Sequence, residues 1–391
     1  MKINYNKKAN YCICVVIISV LVSAVFTGCS NDNESVGAQT IPPQNLIATV
    51  EAGMNSSFYI DSDGNLWGWG WNKFGELGPG VERVHGVGPD QLTPNKIMEN
   101  VVAVSAGQHR TMAIKDDGNL WAWGIIWDYC YEYGSQIHPQ PPPVKLMEDV
   151  IYVSAGLAHT MAVRADGSLW GWGRNFNGAL GDGSKGEETI IIPIEVMGDV
   201  IAVAVENGQS MAIRTDGSLW AWGFNEWGQL GDGTTTNRLS PVKIMEDVTD
   251  VSMGTGHTMA IRNDGSLWAW GANNFGQLGD STDIERHYPV KVMENVVAVS
   301  AGHAHTVALK SDGSLWTWGL NFSGQLGDDT EIHRHSPVKI MGDVIDISAG
   351  FDHTMAITSD GSVWNWGKNQ FGQVGDGTTT SRRNPTRIEI N

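Results

Sequence analysis

A stretch with the pattern Asp-Gly-x-hydrophobic-Trp-x-Trp-Gly occurs seven times in this chain of 391 residues. Successive copies lie 54, 49, 50, 48, 48 and 48 residues apart, and their first tryptophans are Trp67, Trp121, Trp170, Trp220, Trp268, Trp316 and Trp364. A regular period of this length is typical of repeat proteins, in which each unit is stable only beside its neighbours. We therefore interpret residues 45–391 as one domain of seven units.

The fifth unit contains four short apolar runs, each bounded by Gly, Pro or Asp, as is typical of strands. These runs are Pro241–Met245, Val248–Met253, His257–Ile261 and Leu267–Trp270. Four strands per repeat are typical of a β-propeller blade. The Asp-Gly between the last two runs is expected to supply the positive φ angles of a two-residue hairpin turn. The sequence therefore predicts an all-β fold: a seven-bladed β-propeller of four-stranded blades.

The tryptophan strand also indicates how the blades pack. In Leu267-Trp268-Ala269-Trp270 successive side chains point to opposite faces of the strand, yet all four are apolar. A strand with one wet face would alternate with polar residues. We therefore expect both faces to be buried, as they are in a blade that lies between two others.

The two ends of the repeat array suggest how the ring closes. Most units follow a Pro-Val-Lys-Ile-like strand, but the first begins at Leu46–Val50 with only Ile41-Pro42-Pro43 before it. The chain finishes with one further strand, Pro385–Ile390. We expect this C-terminal strand to pair with the N-terminal unit and close the ring, because closure removes open sheet edges.

Two further segments recur beside the tryptophan motif: Gly-x-x-His-(Ser/Thr) before it and Asn-x-x-Gly-Gln-Leu-Gly after it. Together the three segments resemble the repeat of the regulator-of-chromosome-condensation family over residues 45–391. The resemblance implies a seven-bladed propeller, in agreement with the seven units counted above. The asparagine loops begin at Asn72, Asn175, Asn225, Asn273, Asn321 and Asn369, and Glu76 replaces Gln in the first of them.

The N-terminal segment has the features of a secretory leader. Residues 1–28 carry three lysines and an apolar run from Tyr11 to Phe26 that is short for a membrane span. The end, Phe26-Thr27-Gly28-Cys29, resembles a bacterial lipoprotein processing site, although the family usually has an aliphatic residue in place of Phe26. The resemblance implies lipidation of Cys29, residues 29–44 being a polar tether. An ordinary signal peptide or a single-pass anchor is the alternative.

Charge and cysteine content narrow the function further. The formal net charge is −18, with 43 acidic and 25 basic residues. Such a surface repels phosphate backbones, so nucleic acid is not expected as a partner. Three of the four cysteines lie in residues 1–29, which leaves Cys130 alone in the folded part and allows no internal disulfide. We expect an extracytoplasmic, membrane-anchored monomer, at the cell surface or facing the periplasm.

The first two units depart from the repeat and supply the candidate binding residues. The second has no asparagine loop, and the first is expanded between residues 79 and 94. These adjacent insertions should share one rim, where loops on a rigid scaffold often carry function. Aromatic residues typical of interface anchors lie there, and the candidate partner-binding residues are Arg83, His85, Trp127, Tyr129, Tyr131 and Tyr133. Decay of the repeat, filled by whatever packs, is the alternative.

No pattern indicates catalysis, a cofactor or a metal site. Histidines head the same strand in four units, at His159, His257, His305 and His353. Symmetry-related positions are too far apart to converge on one ion, so we expect hydrogen bonds within their own blades. Asp61–Asn65 resembles the start of a calcium loop but lacks its twelfth-position Glu. The Gly-Asp-Gly-Thr segments are not followed by Lys and a helix, and Cys130 has no paired base.

The sequence therefore favours a lipid-anchored scaffold that binds a protein or glycan through rim loops and is not an enzyme. One alternative is an inhibitor of a hydrolase, because the resemblance extends to secreted bacterial propellers that block β-lactamases with aromatic loops. A guanine-nucleotide exchange regulator, another role in the family, is disfavoured by the leader and the negative charge. A hydrolase or lyase would need carboxylates, or His and carboxylate, converging from different blades.

Overall fold

The structure, a computed structural model, describes residues 47–79, 88–126 and 143–390. In these ranges 28 strands form seven antiparallel sheets of four strands. The innermost strands are β1 (Thr49–Ala52), β5 (Val101–Ala106), β9 (Val150–Ala155), β13 (Val200–Glu206), β17 (Val248–Met253), β21 (Val296–Ala301) and β25 (Val344–Ala349). The second strands are β2 (Ser56–Ile60), β6 (Arg110–Lys115), β10 (His159–Arg164), β14 (Gln209–Arg214), β18 (His257–Arg262), β22 (His305–Lys310) and β26 (His353–Thr358).

The third and outer strands complete each sheet. The third strands are β3 (Leu66–Gly70), β7 (Leu120–Gly124), β11 (Leu169–Arg174), β15 (Leu219–Gly223), β19 (Leu267–Gly271), β23 (Leu315–Gly319) and β27 (Val363–Gly367). The outer strands are β4 (Gln91–Met98), β8 (Val144–Met147), β12 (Thr189–Met197), β16 (Arg238–Met245), β20 (Arg286–Met293), β24 (Arg334–Met341) and β28 (Arg382–Ile388). Residues Phe176–Gly178 form a 3₁₀ turn. The predicted all-β, seven-bladed propeller with four-stranded blades is confirmed.

The grouping of strands into blades differs from the expectation by one strand. The run containing Pro241–Met245 was expected to begin the fifth blade, but it lies in β16, the outer strand of blade 4, where it pairs with β15. Blade 5 instead begins at β17 and ends with β20. The reason is local: the Asn225 side chain folds the loop between β15 and β16 through bonds to Leu230, Thr234 and Thr236, and this brings the two strands together.

Ring closure therefore also differs from the expectation. The C-terminal strand β28 pairs with β27 in its own blade, and β1 pairs only with β2. The expected pairing of the N- and C-terminal strands is wrong, since both strands already have partners within their own sheets. Blades 7 and 1 meet instead through side chains, with Asp346 and Ser348 each accepting a backbone N–H of β1 at 2.9 Å.

The Asp-Gly hairpins use their two residues differently from the prediction. Gly265 adopts a φ of +75°, and the equivalent glycine of every other blade also has a positive φ. Asp264 does not adopt a left-handed backbone conformation, and its carboxylate accepts the Ser266 N–H at 2.9 Å. The glycine thus supplies the turn geometry, and the aspartate fixes the turn through its side chain.

The hydrophobic core lies between the blades, because a strand that is apolar on both faces must be covered on both sides. Residues of blade 5, including Leu267 and Ala269, pack with Val296 and Trp318 of blade 6, and all four side chains are buried. The first tryptophan of a pair is less enclosed than predicted: Trp268 is half-buried, with the Arg262 guanidinium 6.0 Å from its ring centre. The described part of the chain contains no helix long and apolar enough to cross a membrane.

Candidate interaction face

The two ends of each blade form two chemically different faces. The upper face carries the turns between first and second strands and the asparagine loops between third and outer strands. The lower face carries the Asp-Gly hairpins and the turns that lead into the next blade; the Val296 N–H, for example, bonds to the Gly265 carbonyl at 2.9 Å. The long connections therefore leave the described strands at the upper face.

The asparagine loops are rigid because a single side chain organises each one. In blade 5, Asn273 Oδ1 accepts the Leu278 N–H at 3.0 Å, and its Nδ2 donates to the carbonyls of Thr282 and Ile284. Asp280 then accepts from Arg286 at 2.8 Å. The loops of blades 4, 6 and 7 repeat this network around Asn225, Asn321 and Asn369. These loops are structural platforms, and the Gly-Asp-x-Thr segment fixes a turn in each of them.

Each loop also locks the next blade in place. The Gln277 carbonyl of blade 5 accepts the Trp318 indole N–H at 2.9 Å and the Thr306 hydroxyl at 2.8 Å, both from blade 6. Gly279 follows with a φ of +76°, and a Cβ there would lie 2.7 Å from the Trp318 indole nitrogen. The glycine that ends the loop is therefore required by both its conformation and this close contact.

The four histidines bridge blades, so the expectation of bonds within their own blades is wrong. His257 Nε2 lies 3.0 Å from the Thr306 hydroxyl of the next blade. Because that hydroxyl donates its proton to the Gln277 carbonyl, the histidine nitrogen must be the donor. His159, His305 and His353 make the same kind of contact. Burial lowers the pKa of all four to about 3, so they are neutral structural donors.

A central channel of about 310 Å³ runs between the innermost strands. It is lined by serines, by Tyr152 and by acidic side chains whose pKa burial raises to about 7, namely Glu51, Glu206, Asp250 and Asp346. Burial also raises the pKa of Tyr152. Several lining groups have structural partners, because Ser252 and Ser300 accept N–H groups of the next blade at 3.0 and 2.9 Å. The channel is an acidic, hydrogen-bonded axis.

Among the described residues no three His, Cys, Asp or Glu side chains are arranged to hold a metal. In the segment that resembles the start of a calcium loop, the Asp61 carboxylate forms hydrogen bonds within the turn. It accepts N–H groups of Asp63, Asn65 and Trp67 at 2.9 to 3.1 Å. Asp61 is a turn residue.

The residues singled out from the sequence as sites lie outside the described part of the chain; they are Cys29, Arg83, His85, Trp127, Tyr129, Tyr131 and Tyr133. The described strands that precede the two insertions, β3 and β7, show where each insertion leaves its sheet. Gly70 and Gly124, which end β3 and β7, pair with the first residues of β2 and β6 at the upper edge. Both insertions therefore leave the sheets on the same face as the asparagine loops, and their role in binding stays a prediction.

Aromatic clusters on the upper face were not anticipated from the sequence. Trp71 of blade 1 stacks on Phe371 of blade 7 with ring centres 5.1 Å apart, and His109 of blade 2 lies edge-on to Trp71 at 5.4 Å. His109 Nδ1 is 3.3 Å from the Glu76 carboxylate. A second cluster joins Phe275, Phe322 and His333 in blades 5 and 6. The signal in the sequence was the aromatic residues next to the loop asparagines: Trp71 just before Asn72, and Phe275, Phe322 and Phe371 one or two residues after theirs.

The described architecture defines a class: a seven-bladed propeller whose repeat couples a buried tryptophan to the asparagine loop of the preceding blade. Residues 130–391 match the RCC1-like domain, residues 63–114 match the regulator of chromosome condensation (RCC1) repeat, and residues 47–76 and 101–130 match a second model of that repeat. The chain belongs to the regulator of chromosome condensation family.

Individual relatives are similar over short segments. The chain is 36% identical over 83 residues to the ultraviolet-B receptor UVR8 of Arabidopsis thaliana, a match covering 20% of this chain and 18% of the receptor. It is 33% identical over 84 residues to the regulator of chromosome condensation of Homo sapiens, covering 21% of this chain and 19% of that protein. These matches span less than a fifth of the relatives' own length.

Solved structures share the fold over nearly the whole chain. Yeast RCC1 (Prp20), crystallised with Kap60, aligns with a TM-score of 0.72 at 19% identity, covering 94% of this chain and 91% of that one. Human WBSCR16 aligns with a TM-score of 0.70 at 22% identity, covering 83% and 94%. At these identities the likeness concerns the fold alone.

The acidic channel leads to a pH-dependent prediction. Burial raises the pKa of Asp250 to about 7, whereas an unfolded aspartate titrates at about 3.9. Because the folded pKa is the higher one, the stabilisation contributed by this group is complete below about pH 4 and is lost as the pH rises through about 7. We expect Asp250→Asn to become progressively more stable relative to wild type between about pH 4 and pH 8, measured as the free energy of unfolding in urea.

An exposed turn aspartate provides a control of opposite sign. Hydrogen bonds from Ser266 lower the pKa of Asp264, so its contribution is present above its unfolded pKa and is lost as the pH falls. Asp264→Asn should therefore lose stability relative to wild type as the pH rises. Identical pH profiles for Asp250→Asn and wild type would contradict the assignment of Asp250 to the channel.

Proposed function

We propose that this chain is a non-enzymatic scaffold that binds a protein or glycan through the upper face of its propeller. The observation that carries the proposal is the set of rigid asparagine loops presenting partly exposed aromatic rings, such as Trp71, Phe74 and Phe371, on one face. Rings held by a rigid scaffold bind with little loss of conformational entropy, and aromatic side chains dominate the energy of many interfaces.

The fold supports this role by analogy. RCC1-like propellers are commonly protein-binding scaffolds, and yeast RCC1 was crystallised with Kap60 bound. Prp20p from Saccharomyces cerevisiae was studied for its binding to Gsp1p and histones. Those partners belong to those proteins. The net charge of −18 makes nucleic acid an unfavourable partner for this chain.

We also propose that the propeller works outside the cytoplasm, held to a membrane by lipid on Cys29 and spaced from it by residues 30–44. The support is the basic and apolar leader followed by Thr27-Gly28-Cys29. A single acyl chain binds membranes only marginally, so stable anchoring requires more than one chain on the processed cysteine.

The anchor is testable by metabolic labelling with an alkyne fatty acid in a bacterial host. We expect the full chain to incorporate the label and Cys29→Ala to lose it, because the thiol is the only proposed attachment point. Cys130→Ala is the matched control and should label like wild type. A labelled Cys29→Ala protein would contradict the anchor.

The binding face is testable by affinity capture with residues 29–391 immobilised. We compare wild type, a variant in which residues 127–142 are replaced by a short Gly-Ser linker together with Phe322→Ala and Phe371→Ala, and the lower-face control Glu148→Gln. Proteins or glycans captured by wild type should be reduced at least about tenfold by the upper-face changes, a loss of about 1.4 kcal/mol, and retained by the control. Equal recovery by all three, each shown to be folded, would refute binding by this face.

A further inference from the structure

Among the described asparagine loops, those of blades 5 and 6 carry the most exposed apolar side chains. Phe322 is 67% exposed, Ile332 is 61% exposed and Ile284 is 56% exposed. The ring centres of Phe275 and Phe322 are 6.3 Å apart, and the His333 ring lies 4.5 Å from that of Phe322. We refer to these five side chains as the blade 5–6 patch.

The repeat does not require the apolar residues of this patch. The position after the loop asparagine, which Phe322 occupies in blade 6, is Lys73 in blade 1, Glu226 in blade 4 and Gln370 in blade 7. Polar residues thus serve the loop equally well at this site. Neighbouring exposed apolar side chains that folding does not need are typical of an interaction surface.

The patch is held in a fixed conformation. The Asn321 side chain accepts the Leu326 N–H at 3.0 Å and donates to the Ile332 carbonyl at 3.2 Å. The Asn321 backbone N–H donates to His333 Nδ1 at 3.0 Å, so Nδ1 is the unprotonated ring nitrogen. Little conformational entropy is left to lose when a partner binds.

The charges around the patch select the partner. Residues 272–285 and 320–333 contain no Lys or Arg. Their exposed carboxylates are Asp283, Glu285, Asp329 and Glu331. The arginine that follows each loop already pairs with an aspartate of that loop: Arg286 with Asp280, and Arg334 with Asp328. Arg383 of blade 7 lies 3.8 Å from Glu331, and both side chains are more than half exposed.

We propose that the blade 5–6 patch docks a basic amphipathic polypeptide segment, whose apolar side chains cover Phe322 and Ile332 and whose Lys or Arg residues face Asp283 and Glu331. Complementary charge speeds association and rejects acidic partners, while the apolar anchors supply most of the affinity. The inference rests on the proposed role of the upper face in binding. It places the docking surface on blades 5 and 6, away from the insertions of blades 1 and 2.

The test uses three synthetic peptides of equal length, titrated against residues 29–391 by fluorescence anisotropy. One alternates Leu and Lys in an amphipathic pattern, one replaces every Lys by Glu, and one replaces every Leu by Ser. We expect the Leu/Lys peptide to bind at least about tenfold more tightly than either of the others. Equal affinities for the three peptides, or no binding of the Leu/Lys peptide, would overturn the proposal.

Variants locate the binding site. Phe322→Ala should weaken binding of the Leu/Lys peptide by about tenfold or more, because it removes the most exposed apolar anchor. The double variant Asp283→Asn with Glu331→Gln should weaken it at low salt and reduce its salt dependence. Phe176→Ala is the matched control, since Phe176 occupies the same loop position in blade 3 at 39% exposure. Its affinity should stay within about twofold of wild type.

The outcomes separate this inference from the proposed function. An unchanged affinity in Phe322→Ala, whose melting curve shows that it is folded, overturns docking on the blade 5–6 patch. If ligands captured from extracts are still lost when the other upper-face loops are changed, the upper face remains the binding face and only the patch assignment fails. Loss of peptide binding in Phe322→Ala but not in Phe176→Ala supports the patch.

Discussion

The ring depends on one interaction that is repeated between blades: a buried indole N–H of one blade donates to a backbone carbonyl in the asparagine loop of the blade before it. Trp270 donates to Gln229 in this way, and Trp69 donates to Gln373 across the junction of the last and first blades, both at 2.9 Å. The same carbonyls also accept a threonine or serine hydroxyl. Since Trp69 and Trp270 are fully buried, displacement of the loop carbonyl would leave the indole N–H unsatisfied.

This arrangement explains how the ring closes without exchanging a strand. The contacts between blades 7 and 1 repeat those at the other junctions: Ala52 N–H donates to Ser348 as Ala301 N–H donates to Ser252, at 2.9 and 3.0 Å. Asp346 adds a further bond to Val50. The exposed edges of the innermost strands are thus satisfied by side chains of the neighbouring blade, which removes the need for a shared sheet.

The fold was largely predictable because its determinants are local and repeated. The apolar pattern on both faces of Leu267 to Trp270 and the turn at Gly265 can be read from one unit, and the period can be read from the spacing of the seven units. The sequence could not show which strand begins a blade, because a repeat has no intrinsic starting point. It could not show how the ring closes either, because the hydrogen bonds of Asp346 and His353 join different units. The upper-face aromatics were missed because Phe322 and Phe275 lie within loops that repeat along the chain, and only the fold brings those loops together. The residues proposed from the insertions, such as Trp127 and Arg83, lie outside the described structure.

Hydrogen exchange at the junction of blades 7 and 1 tests most directly whether the ring closes by these side-chain bonds. We expect the Ala52 amide to be protected to the same degree as the Ala301 and Ala349 amides, because all three donate to a serine of the preceding blade. Rapid exchange of Ala52 while Ala301 and Ala349 stay protected would show that the terminal blades do not meet in this way, and would contradict the account.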